Sequence, residues 1–547
     1  MLLDYRPSAK ATILCLAVLM VIGGSLRVYG CRWGFPMLGH PDEFNIANYA
    51  ARVAASDNWD PGTYLRPNHV SIYAHAGLYR LVSPFVSDSG VAKNYPRHIL
   101  VFYRASRVLV ALIGSALILT VFLIGAEFSP MVGLVGAGIT AVLPFGIEHS
   151  HYITPDIPLS FFASVVVLFC VKYLKTGRLL HLLVATAFAA AATAEKYPGL
   201  VFTCVIAVSA VARPGRTPWR KAGLLAGLGL LFIVVLFCCS PYLFIHYPQV
   251  VEALTTESRS NHPGADQLGV PGNLAFYLGQ YPQRVGVFLA ICTLAGFGVA
   301  TRKWSRQAIP LYTPLFFLAV MSAVPLHWER WGLPAFSLLP TLTAIGALSV
   351  LDLARRARWT FLLASLAMIV PALSLVLQAT YNSLVFGLED TRVASLRFCQ
   401  GAGIDRTNTI FEGYTPFSVS GGSTFGFFQK QMLKESYLKD KPFRYVMVSS
   451  LCYVRFFNEP KRYKSMIEGY RALDETCPRV ARFESVSIGD WFHYDLSYWS
   501  PRALVQVLER FWNWRGTTPY QGPTITIYKT PESAVKTASQ QRLKAFG

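Results

Sequence analysis

About eleven runs of apolar residues recur along the first 380 positions, near 11–26, 106–125, 131–147, 157–171, 179–194, 197–212, 222–243, 285–300, 308–325, 332–350 and 359–379. At about 1.5 Å of helical rise per residue such runs approach the thickness of a bilayer core, and hydrocarbon accepts only segments whose backbone polar groups are satisfied internally. The pattern predicts a polytopic α-helical membrane protein with about 11 transmembrane helices. The composition agrees: 53% of the 547 residues are hydrophobic and only 15% are charged, outside the range of soluble domains.

A formal net charge of +20 would suit nucleic acid if it formed one basic face. It does not. The cations cluster between apolar runs, at Arg6/Lys10, Lys172/Lys175/Arg178, Arg213/Arg216/Arg220/Lys221, Arg302/Lys303/Arg306 and Arg355/Arg356/Arg358, all on one side if the helices alternate. That side reads as the cytoplasm, and no nucleic-acid partner is implied. The first run, behind Arg6 and Lys10, reads as an uncleaved transmembrane helix rather than a signal peptide, because further spans follow.

The extracytoplasmic side then receives an external loop over 40–104, the loop around 149–158, residues 195–198, a long external loop over 240–284 and residues 327–334. Loops of such length in a compact protein are usually functional or disordered, and the segment 246–272 is expected to cap the entry to a site. Residues 1–380 read as the transmembrane domain. An odd helix count puts residues 381–547 outside as well, where the composition turns soluble and a small extracytoplasmic α/β C-terminal domain is expected. Strands are expected at 443–448 and 524–528, helices at 390–400 and 501–512, and a disordered basic tail over the last dozen residues. Six of the ten cysteines lie in apolar runs as small core residues; Cys399, Cys452 and Cys477 leave room for one disulfide but no framework.

Charge at a membrane edge needs a reason. Asp42-Glu43 follows the first run, behind Pro41 and ahead of an expected helix, so a cap or dipole role is open beside a chemical one. A second acidic loop crowds Glu148, His149, His151 and Asp156 into nine residues, where Thr154-Pro155-Asp156 also makes a helix start. Arg66, Lys196 and Arg330 lie on the same face. Taken singly, Lys196 and Arg330 more simply snorkel or pair with their neighbours Glu195 and Glu329; taken together, three cations beside two acidic loops form a phosphate site.

The stretch His40-Pro41-Asp42-Glu43, the run from Thr154 to Phe162, Glu195-Lys196-Tyr197 and Glu329-Arg330-Trp331-Gly332-Leu333-Pro334 together resemble the GT-C membrane glycosyltransferases. The branch is glycosyltransferase family 39 and its relatives, the protein O-mannosyltransferases and the bacterial lipid A aminoarabinose transferases. The resemblance spans about the first 350 residues in order, and residues 390–414 and 522–528 also resemble bacterial members. It implies a GT-C-like fold and transfer of a sugar from a polyprenyl-phosphate donor to a hydroxyl of a glycolipid, polysaccharide or protein. Transfer would invert the anomeric carbon, outside the inner (plasma) membrane of a bacterium. Asp42, with Glu43 beside it, and Asp156 are implied as the catalytic acids. Arg66, Lys196 and Arg330 are the donor phosphate-binding candidates, and Tyr64, His69, His149, His151 and His262 the substrate-binding ones. Tyr64 and Arg66 match a Tyr-x-Lys-Pro stretch whose cation binds lipid phosphate; Leu65 stands where the relative has an acid that helps bind a metal. A divalent metal ion held by His149, His151 and His262 with a carboxylate is left open, as no spacing demands it. A transporter or flippase of lipid-linked sugars is the alternative, but it would gather polar groups near the midplane, whereas here they gather at helix ends. A noncatalytic scaffold leaves the twin acidic loops unexplained.

Overall fold

The computed structural model describes residues 2–215, 217–257, 259, 261–418, 444–484 and 520–530. The expected helix at 501–512 and the basic tail lie outside the described residues. Every apolar run is helical, but they differ in length. Six helices, Ala9–Val28, Ile99–Ala126, Asp156–Thr176, Pro218–Cys239, Val287–Trp304 and Arg358–Phe386, are long and apolar enough to cross a membrane, and the pair Glu329–Phe336 and Leu339–Ala354, bent by 55°, makes a seventh if it is one span. Pro130–Ala141, Leu179–Glu195, Tyr197–Ala212 and Ile309–Ser322 are shorter apolar helices. Among the described residues six or seven helices are long enough to cross, so the expected count of eleven spans is not reached at full length. Prolines help to set the shorter lengths, since Pro144 and Pro198 follow two of these breaks and a proline cannot continue the hydrogen-bond ladder.

One such break is repaired from outside. Pro144 has no N–H to give the Thr140 carbonyl, and the buried Arg27 fills the gap: it donates to Thr140 O at 2.8 Å, Ala141 O at 3.0 Å and Gly23 O at 2.8 Å. A charge this close to the bilayer persists because it serves backbone acceptors. Helix Asp156–Thr176 runs through the middle of the main core with Val166, Tyr173, Phe202 and Phe317, whereas Ala9–Val28, Pro218–Cys239 and Arg358–Phe386 turn most of their apolar surface outward. Helices Val287–Trp304 and Leu339–Ala354 approach backbone to backbone through Gly296 and Gly346, where a Cβ would overlap the Leu342 and Cys292 carbonyls. Small residues at such contacts let membrane helices pack closely.

The loop over 40–104 folds into helices Glu43–Ala55, His69–Val82 and Val91–Arg97 around a small core of Ile46, Val53, Ile72, Tyr79 and Phe102. The segment 240–284 holds helices Tyr242–Ile245, Tyr247–Glu257 and most of Gly269–Val285. Beyond the last long helix, Asp390 caps Thr391–Ala402 by accepting from Arg392 N–H. The sheet that follows is four-stranded: β1 (Thr409–Phe411), β2 (Tyr445–Ser449), β3 (Arg479–Phe483) and β4 (Ile525–Lys529) in the order β1-β2-β4-β3, with β1 parallel to β2 and β4 antiparallel to both neighbours. Helices Ser450–Phe457 and Lys464–Thr476 complete the α/β unit. β1, β3 and these two helices escaped the sequence reading because they are short or amphipathic. All ten cysteines are free, including Cys399, Cys452 and Cys477.

Gly346→Ala is expected to force the two close-packed helices apart at a cost of about 1–3 kcal/mol. The check is a lower thermal midpoint in detergent than wild type; an unchanged midpoint would mean that the contact yields without strain.

Candidate functional site

At one end of the bundle five loops converge on a cleft of about 240 Å³. Asp42 stands at the N-cap position of helix Glu43–Ala55, yet its side chain caps nothing. Its carboxylate instead receives the Arg330 guanidinium and lies 3.5 Å from Arg66 Nη1. Asp156, the first residue of helix Asp156–Thr176, likewise makes no cap bond; it accepts from Lys196 Nζ at 2.8 Å. The Lys196 ammonium also stands 5.6 Å over the Trp331 ring.

The neighbouring glutamates that might have neutralised these cations are engaged elsewhere. Glu329 pairs with Arg284. Glu195 accepts from Ser71 N–H at 2.8 Å and Ser71 Oγ at 2.5 Å, so it caps helix His69–Val82 from another element. The simple local pairing that sequence proximity favours for Lys196 and Arg330 is thus not what the fold uses. Both cations reach across to the acidic loops.

Two carboxylates and three cations line the cleft, an excess of one positive charge. The rest of the wall is apolar, with Ile46, Leu65, Met321, Val324 and Trp331, and Leu254 of helix Tyr247–Glu257 brings the long external loop to it. Such a wall suits an anionic head on a hydrocarbon tail. Asn68, also in the lining, holds a left-handed backbone (φ 48°) while its N–H donates to Glu195 O at 3.0 Å. Asparagine is among the few residues that tolerate this region.

Electrostatics sets the protonation state of Asp42. Burial pushes its carboxyl up, but Arg330 first, then His40 and Arg66, outweigh burial and hold it well below the usual carboxylate range. His40 packs on Tyr152 at a centroid distance of 4.4 Å, accepts from the Asp42 N–H at 3.2 Å, and is itself pulled down by burial.

Several sequence candidates lie apart from the cleft. Glu43 is fully buried and paired with Arg107, whose Nε and Nη2 donate to its two oxygens at 2.8 and 2.7 Å; the Ile153 N–H adds a third bond at 3.1 Å. Both oxygens are committed to the fold, which removes Glu43 from the reacting groups. His151 is stacked on Phe386 at 4.0 Å, with its nitrogens on the Ile147 and Tyr29 carbonyls. His69 is pinned between Ser240 Oγ and Thr63 O. These two histidines serve the framework. The Tyr64 hydroxyl donates to Asp60, while its carbonyl accepts from Tyr197 OH at 2.6 Å, fixing the loop that carries Arg66. His149 packs edge-on against Phe145 and Tyr152, and burial pulls its ring down to about 3. His262 lies against Trp328 at 4.9 Å, outside the lining. The histidines considered for a metal are therefore separated, and among the described residues no three His, Cys, Asp or Glu side chains gather as a metal-holding group.

Two residues matter to which the sequence reading gave no role. Arg107 sat inside an apolar run, where a lone charge was the available signal. Arg392, in the outer α/β unit, donates to the Gly39 carbonyl at 2.7 Å, three residues before Asp42.

The comparisons with known proteins bear on this architecture. The family described as dolichyl-phosphate-mannose-protein mannosyltransferase matches residues 103–245, a segment that contains Asp156 and Lys196. ArnT from Cupriavidus metallidurans in the apo state aligns with a TM-score of 0.50 at 14% identity, over 83% of this chain and 95% of that one. The oligosaccharyltransferase of Archaeoglobus fulgidus, in complex with Zn and sulfate, aligns with a TM-score of 0.48 at 14% identity, over 94% and 88%. ArnT bound to undecaprenyl phosphate gives 0.46 at 15% identity, over 83% and 95%. No curated protein matches at the sequence level. The chain shares its overall fold with ArnT from Cupriavidus metallidurans, and its long apolar helices make it an integral multi-pass membrane protein.

Glu43→Gln should destabilise the protein, since removing one partner of a buried ion pair costs about 3–5 kcal/mol; thermal unfolding in detergent checks this. Asp42 behaves differently. Its depressed carboxyl contributes stability that is complete above the unfolded value of 3.8 and is lost as pH falls toward the folded value. The stability difference between wild type and Asp42→Asn is therefore expected to stay flat between about pH 5 and 8 and to shrink below about pH 4.

Proposed function

We propose that this chain transfers a sugar from a polyprenyl monophosphate donor to an acceptor hydroxyl on the extracytoplasmic face of a bacterial inner membrane. The observation that carries this reading is the cleft itself, with three cations and two carboxylates set into an apolar wall at one membrane end of the bundle. Arg330, Lys196 and Arg66 would hold the donor phosphate. The prenyl chain would leave along the apolar side. The acceptor is a glycolipid, a polysaccharide or a protein.

In the reaction the acceptor oxygen attacks the anomeric carbon, the bond from that carbon to the phosphate oxygen breaks, and the acceptor proton passes to Asp42. Polyprenyl phosphate departs with the electron pair, needing little protonation while the three cations stabilise its charge. Asp156 holds Lys196 in place for that task. A carboxylate clamped by two guanidiniums is a weak base, but an incoming phosphate competes for Arg330 and Arg66 and so loosens their hold on Asp42. Donor binding thereby raises the basicity of Asp42 where the proton must be taken. The side that carries the cleft is the one opposite Lys175 and Lys303, which pair with Glu127 and Asp4 at the other end of the bundle. Under the positive-inside rule the basic end is cytoplasmic.

Purified wild type and Asp42→Asn are to be incubated with membrane-extracted polyprenyl-phosphate sugars while release of free polyprenyl phosphate is followed. The Asn variant, folded by its thermal midpoint, is expected to be slower by about 10²–10⁴-fold, the usual worth of a general base. Equal release by both would remove Asp42 from the chemistry. Translocation of the intact lipid-linked sugar without release would replace transfer by transport.

A further inference from the structure

A second pocket, of about 620 Å³, lies at the same end of the bundle as the cleft and shares none of its lining residues. It sits where helix Ala9–Val28 ends, where Ile99–Ala126 begins and where Arg358–Phe386 ends, walled by Val28, Tyr29, Phe35, Val108 and Phe386. Gly30 allows this closure: at φ 80° it passes so near Phe386 that a Cβ would collide with it.

The charges of this pocket do not balance. Its two acids are each taken by an arginine from outside the lining, Glu389 by Arg397 and Asp390 by Arg392. The side chains of its two basic residues, Arg32 and Arg104, are exposed and make no ion pair or hydrogen bond among the described residues. Arg104 and Val108 share one helix face at i and i+4, so the cation and the apolar wall come from the same turn pair. Two guanidiniums lining the mouth of one cavity suit a phosphate, which accepts from planar forks.

Its position argues for a phosphate carried by a lipid. Helix Ala9–Val28, which ends at the pocket, keeps only 11% of its apolar window buried, so it faces hydrocarbon. The half-exposed Tyr29 stands at the helix end, the depth at which interfacial aromatics collect. We propose that this pocket binds the phosphate group of an anionic membrane lipid, with Arg32 and Arg104 as its charged ligands. The acyl chains run along the outward face of helix Ala9–Val28. The site shares no lining residue with the cleft, and Trp33, which lines it, covers the Arg107 guanidinium at 4.4 Å.

Dioctanoyl phosphatidic acid titrated into the full chain in a neutral detergent tests the assignment. Saturable binding is expected in wild type and in Arg66→Gln, with affinity weakened about tenfold or more in Arg32→Gln/Arg104→Gln, as loss of charge-assisted bonds to phosphate requires. Arg32→Lys/Arg104→Lys, which keeps the charge, should recover most of the binding and guards against a folding effect. Unchanged binding in the Gln pair overturns the proposal, as does loss confined to Arg66→Gln, which would put the lipid in the cleft. Equal binding of uncharged dioctanoylglycerol would reduce the site to an apolar surface. Competition by inorganic phosphate as strong as by the lipid would reassign it to a soluble anion.

Discussion

The buried pair of Glu43 and Arg107 is the interaction on which the site's geometry rests. Taking two charges out of water is costly, and the cost is offset only when every polar atom finds a partner. Here it does so across three elements. Arg107 uses its two remaining contacts on the Cys31 and Trp33 carbonyls at 3.3 and 2.7 Å, while Trp33 and Phe35 shield its face at 4.4 and 5.1 Å. Glu43 takes the Ile153 N–H from the second acidic loop. One ion pair thus fixes where the first helix exits, where the loop helix starts and where the second loop turns. Asp42 is aimed at the cleft because its neighbour is anchored away from it.

Adjacent residues on a helix diverge by about 100°, which explains how two consecutive acids take opposite fates. Asp42 and Glu43 were legible in the sequence as a pair but not as a division of labour. The same limit applied to Lys196 and Arg330. Sequence proximity offered Glu195 and Glu329 as partners, and the fold instead gave those glutamates to Ser71 and Arg284. Which of several short-range partners wins is decided by tertiary placement.

The larger pattern was easier to read. Each apolar run became a helix because periodicity and length are properties of the chain itself, and the five loops that build the cleft fell at one end because helices alternate. Hydropathy averages over breaks, however, so it could not tell a full crossing from a helix stopped at Pro144 or Pro198. Nor could it see that Arg27 would close the gap left by Pro144. His151 and His69 looked like ligands because polar residues were dense around them; their ring nitrogens were claimed by carbonyls and a hydroxyl brought from distant segments.

The outer α/β unit is tied into this frame at two points. Arg392, held by Asp390, grips the Gly39 carbonyl, and Gly39 must lack a side chain because a Cβ there would strike the guanidinium. Arg462 pairs with the buried Asp266 of the long external loop, whose neighbour Ala265 accepts from the His327 N–H at 3.1 Å. The two ties reach the Asp42 loop from one side and the Arg330 loop from the other. A shift of the outer unit would therefore act on both ends of the Asp42–Arg330 contact at once. In the proposed reaction an incoming phosphate would loosen that contact, and the unit that carries no cleft residue is joined to both loops that form it.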